Sequence, residues 1–256
     1  MLLRSISKHV KDQNWFAVAL DFFIVVAGVF IGLQVSNWSR QQVENTRSKT
    51  YLERISDDIL VDIATLEKRL EFWAAVIEEG ETAIRYAETG ERSDKSDWGI
   101  IVAFYQASQI WKYSASDTTY SELKGSGELG LIRDNELRST IAKYYENLDR
   151  RASDLYSLNP EYRTIIRAKT PYRAQTYIWE ICHKGDGYDQ SLLDCPEPNL
   201  IIDMNATLES FIADPKIIDT LRFWIINLGV SKNQGEFEIE RLRALSVLIN
   251  GEANKP

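Results

Sequence analysis

Between Trp15 and Trp38 the chain reads WFAVALDFFIVVAGVFIGLQVSNW, a run with one charged residue, Asp21. Residues 15–35 as an α-helix span about 32 Å, close to the roughly 30 Å hydrocarbon core of a bilayer. Trp15 and Trp38 flank the run, where membrane interfaces favour aromatic side chains. Arg4, Lys8 and Lys11 precede it, and a basic tail of this kind favours a cytoplasmic N-terminus. Arg40, Arg47, Lys49 and Arg54 follow it, diluted by acids, so charge alone does not fix the orientation. A cleaved signal peptide is one rival, but the run is long for an h-region and no convincing small-x-small site follows. A buried core helix is another; it accounts for the apolar run and not for the flanking tryptophans. The expected organisation is a basic cytoplasmic tail (1–14), a transmembrane anchor (15–38), a stalk helix (39–90), a helical domain outside the cytoplasm (91–250) and a frayed tail (251–256).

The 256 residues leave enough chain beyond the anchor for a real core. The net charge of −8 repels phosphate backbones, which argues against nucleic acid as a partner. No internal repeat is visible.

The helical pattern does not stop at the anchor. Between Trp38 and Ile77 no Pro or Gly interrupts the chain. Leu52, Ile55, Ile59, Ile63, Leu66, Leu70, Trp73 and Ile77 follow one another in steps of three and four, which define one stripe on a helix. The stripe fits a heptad frame suited to a coiled coil. Packing on later helices of the same chain serves it equally, and is favoured because several amphipathic helices follow. Asp97 is the expected cap of an apolar helix starting near Trp98 and running to Tyr113. Asp117 is expected to open a short helix ending at Gly125, Asp134 one that runs to about Leu158, and Pro160 another that ends near Cys182. Residues 200–203 read as briefly extended, and a short helix as starting after Asn205. Asp214 and Pro215 form a cap and first turn for a last long helix. The fold class is therefore all-α: one N-terminal transmembrane helix continuing into a long stalk helix, then a helical bundle of about five to seven helices.

Three stretches, DFFIVVAGVFIGLQVSNW, YLERISDDILVDIATLEKRL and TYSELKGSGELGLIRDNELRSTIAKYYENL, resemble a bacterial single-pass membrane-protein family classed as a domain of unknown function. The resemblance spans roughly residues 20–150. Similar proteins commonly carry Glu where this chain has Asp21, which keeps the charge. The resemblance implies an N-terminal anchor and a helical soluble domain, and implies no activity.

Candidate chemistry is sparse. Asp21 is an intramembrane acid. Three roles compete for it: reaching toward the headgroups, gluing the anchor to a partner, or carrying protons. Gly28 and Gly32 form a G-x-x-x-G on the same helical face, which allows close helix approach. Cys182 and Cys195 bracket one turn-rich loop, suggesting a disulfide in an oxidising compartment, with two unrelated buried thiols as the alternative. His183 alone offers no zinc or haem pattern, and no nucleotide-binding or metalloprotease motif occurs. GSGELG (125–130) lacks the lysine of a phosphate loop and reads as a helix connection. The acid pairs Asp57–Asp58 and Glu78–Glu79 read as solvated faces. No cofactor, metal or catalytic residue is expected. The leading expectation is a membrane-tethered, non-enzymatic interaction or sensory module of the bacterial inner membrane, with the bilayer and a protein partner or second copy as its contacts. The alternatives are an ion-coupled membrane-complex subunit using Asp21 and an enzyme of unrecognised type.

Overall fold

The computed structural model describes residues 15–112, 115–154, 159–186, 189–199 and 201–255. The fold is all-α, with one two-stranded hairpin among the described residues. Helix α1 (Trp15–Thr89) includes the apolar run and the stripe. The chain divides into two compact units, Met1–Tyr51 and Leu52–Pro256.

In the first unit the apolar run lies bare. Phe22, Phe23, Ile24 and Val25 are each exposed by 61–68%, and four consecutive helical residues, about 100° apart, cover the whole circumference. Among the described residues it belongs to the one helix long and apolar enough to cross a membrane.

In the second unit the stripe is core. Leu52, Ile55, Ile59, Ile63, Leu66 and Trp73 are buried in the chain's own domain, as the later amphipathic helices required. Gly90 stops α1: its φ of +75° suits glycine, and its N–H bonds the Tyr86 carbonyl.

Seven α-helices follow among the described residues. Helix α2 (Asp97–Gln106) is central, with eight of its ten residues buried. Its cap is Ser96, whose Oγ accepts from the Gly99 N–H. Asp97 instead accepts from Arg92 at 2.7 and 3.0 Å. The helix ends at Gln106, short of Tyr113, where the Ser108 hydroxyl donates to the Tyr105 carbonyl and competes with the backbone ladder. Helix α3 (Thr118–Gly125) ends as expected, and a 3₁₀ turn (Leu129–Leu131) leads to α4 (Asn135–Asp154). Asp134 Oδ1 caps α4 by accepting from the N–H groups of Glu136 and Leu137. Residues 155–158, expected to be helical, lie outside the described residues.

The single helix expected from Pro160 to Cys182 is two, α5 (Glu161–Lys169) and α6 (Tyr172–Ile181). Pro171 lacks a ladder donor and forces Thr170 to extended backbone (ψ 129°), which breaks the helix there. The cysteine loop carries an unanticipated hairpin of β1 (His183–Gly185) and β2 (Gln190–Leu192), with Lys184 opposite Ser191. Residues 201–203 are not a strand. Asp203 caps α7 (Met204–Ile212), so that helix begins before Asn205.

Asp214 and Pro215 open α8 (Pro215–Ala253) as predicted. The helix runs past residue 250 because Ala253 is buried, so 251–253 are not frayed. It packs antiparallel to the second half of α1: Ile225 meets Gly80, Leu70 meets Gly235, Arg243 pairs with Glu67, and Ser246 meets Ser56.

Candidate functional site

The side chain of Asp21 lies outside the described residues. A Cβ built on Gly28 or Gly32 meets nothing within 4 Å, so this G-x-x-x-G face is open in the single chain. Cys182 and Cys195 do come together, with sulfurs at bonding distance and Cα atoms 4.8 Å apart. They tie the end of α6 to the segment after β2.

The acid pairs are not uniformly solvated. Asp57 and Glu78 are exposed, but Glu79 accepts from Lys95 at 2.8 and 3.0 Å and Asp58 accepts from the Ser116 hydroxyl at 3.1 Å. Asp62, one turn from Asp58, accepts from the Ser116 N–H and from the Tyr144 hydroxyl, both at 2.8 Å. Burial, then the nearby Asp58 and Asp62, push the Tyr145 phenol well up. This cluster cross-links α1, α4 and the segment before α3.

A second polar cluster has a different character. The C-terminus of α2 is buried, and its orphan carbonyls need donors. Tyr162 donates to Phe104 at 2.6 Å, Trp224 to Ala107 at 2.9 Å, and Arg163 Nη1 to Ser108 at 2.6 Å. Arg167, one turn along α5 from Arg163, donates through Nε to Ser108 Oγ (3.0 Å) and through Nη2 to Gln109 Oε1 (2.8 Å). Arg163 Nη1 approaches the same Gln109 oxygen at 3.5 Å. The two guanidiniums therefore lie side by side, sharing neutral acceptors.

Neither arginine forms an ion pair with a described residue. Burial, then the charge of Arg167, push the Arg163 guanidinium down to about 10. Burial also lowers Arg167. Burial is the first cause of both shifts, and only at Arg163 does the neighbouring positive charge add to it. The walls are aromatic: Arg167 lies 4.7 Å from the Tyr105 ring and 5.9 Å from the ring of Trp179. Trp179, half exposed, stacks on His183 at 4.3 Å. Burial lowers the His183 pKa, the arginines lower it further, and a hydrogen bond with Gln190 opposes them.

The cluster is also wired to the disulfide. Gln109 donates to Gln106 at 3.0 Å, and Gln106 donates to the Cys182 carbonyl at 2.9 Å. Gln106, Ser108 and Gln109 are all buried, so this chain of bonds has no slack. Sequence inspection passes over Arg163 and Arg167. Two arginines four apart on an amphipathic helix look like a solvated edge, and only the tertiary fold brings Ser108 and Gln109 beneath them.

The chain matches no protein-family model, no characterised protein and no solved structure in comparisons of sequence and fold.

Proposed function

We propose that the chain is a membrane-tethered, non-enzymatic interaction or sensory module whose helical domain lies outside the cytoplasm. The observation that carries this is the bare apolar helix. Phe22 to Val25 expose large side chains in every direction around its axis. A helix apolar on all sides is at home in lipid or in a protein core, and none of the described residues covers it. Gly28 and Gly32 leave it a smooth face for a second helix in the membrane. The Cys182–Cys195 pair supports an oxidising compartment for the domain.

Alkaline carbonate extraction of membranes tests the tether, and the chain is expected to stay in the pellet. Release into the supernatant overturns the reading. Thiol labelling of intact cells tests the side of the membrane: Cys182 and Cys195 should react only after reduction. Labelling without reductant by a cytosol-confined reagent reverses the orientation.

A further inference from the structure

We propose that Arg163 and Arg167 form a binding site for a small organic carboxylate. The proposal rests on reading the domain as a binding module, and not on which side of the membrane it faces.

Two like charges lie side by side here with no carboxylate partner among the described residues. The two guanidiniums are half-buried neighbours bound to one amide oxygen and one serine. The end of the α2 dipole supplies roughly half a negative charge against them. Like charges held side by side and half-buried repel one another, and nothing among the described residues offsets the remainder with a carboxylate. The structural role of the pair explains the donors aimed at Ser108 and Gln109. It does not explain two full charges where a neutral donor such as Tyr162 or Trp224 serves the neighbouring carbonyls.

The donors fit the proposed ligand. A guanidinium carries five N–H groups. Among the described residues, acceptors engage only Nη1 of Arg163, and only Nε and Nη2 of Arg167. That leaves an edge on each for bidentate carboxylate binding, the geometry in which arginine is strongest. Burial favours a singly charged carboxylate over a phosphate dianion, which loses more hydration on entry. Trp179, half exposed beside Arg167, offers an apolar wall for the body of the ligand.

The test uses the full chain in mild detergent, with melting followed by scanning calorimetry. Sodium benzoate, sodium phosphate and sodium chloride are titrated at matched ionic strength. Benzoate is expected to raise Tm saturably, by about 3 °C or more at tenfold excess over its dissociation constant. Arg167→Gln should abolish the shift, and Arg167→Lys, which keeps the charge and loses the fork, should retain part of it. Should Arg167→Gln not fold, titration calorimetry of the unmodified chain with benzoate still decides: saturable heat at one site per chain supports the assignment. No benzoate effect beyond chloride overturns it. So does a phosphate response without a benzoate response, or an equal benzoate shift in Arg167→Gln. A chain that binds benzoate yet leaves the membrane in carbonate would sink the tether and keep the site.

Discussion

Tyr144 donates its hydroxyl hydrogen to Asp62 at 2.8 Å, where Asp62 is only 2% exposed. The bond joins α4 to α1 across 82 positions of sequence. Tyr144→Phe should cost about 1–2 kcal/mol, the usual scale for a buried hydrogen bond to a carboxyl group. Asp62→Ala should cost more, because it also strips the Ser116 N–H of its acceptor. Urea denaturation of both single variants and the double variant measures the coupling. Strictly additive losses would mean that the two side chains do not interact in solution.

Reduction should loosen the domain from its α6 end. The Cys182–Cys195 bridge closes a separation of 13 residues, and a loop of that size contributes about 3 kcal/mol. Cys195→Ser, or reductant with the unmodified chain, should lower Tm by roughly 6–10 °C for a domain of this size. Unchanged melting under verified reduction would contradict this.

Two glycines at the α1–α8 contact should respond differently to alanine. A Cβ on Gly80 falls 2.2 and 2.4 Å from two atoms of Ile225, whose branched side chain has little freedom. Overpacking of about 1–3 kcal/mol should outweigh the roughly 1 kcal/mol gained in helix propensity. On Gly235 the close contact is one terminal methyl of Leu70 at 2.7 Å, with the next atom at 3.7 Å, which a side-chain rotation can relieve. Gly235→Ala should therefore stay within about 0.5 kcal/mol of the parent. The chemical denaturation midpoints rank the two variants.

His183 should make stability fall on mild acidification. Its pKa in the folded chain lies below the ordinary 6.5, chiefly through burial. Between those two values the unfolded chain binds the proton and the folded chain does not, so stability rises with pH across that window. The contribution is complete above about pH 6.5 and is lost as pH falls from there through the folded pKa. His183→Gln should flatten the difference in urea midpoint between pH 7.5 and 5.5. An identical slope in both proteins would assign the effect to other groups.

The legible parts of this fold were the ones written in local chemistry. The Leu52–Trp73 stripe, the Asp134 and Asp214 caps and the stop at Gly90 each depend on residues within a turn or two of one another. The break at Pro171 was also written locally, and the amphipathic pattern running on either side of it hid the signal. Asp186–Gly187, a turn-prone dipeptide, was the available hint of the hairpin that starts at His183. The arginine pair was not legible at all. Its meaning lies in the burial of Ser108 and Gln109 beneath α5, positions 54–59 residues away in sequence from the arginines that touch them.

The contact between Ser56 and Ser246 joins residues separated by 190 positions. Its consequence concerns synthesis. The opening turns of the domain meet the final turns of α8, so part of their face stays uncovered until the chain has been made at least as far as Ser246. Contacts this distant close slowly, since the ordering entropy comes before the reward. A stop codon in place of Leu245, which removes buried Leu245, Ser246 and Ile249, should therefore yield a product for proteases rather than a shortened domain.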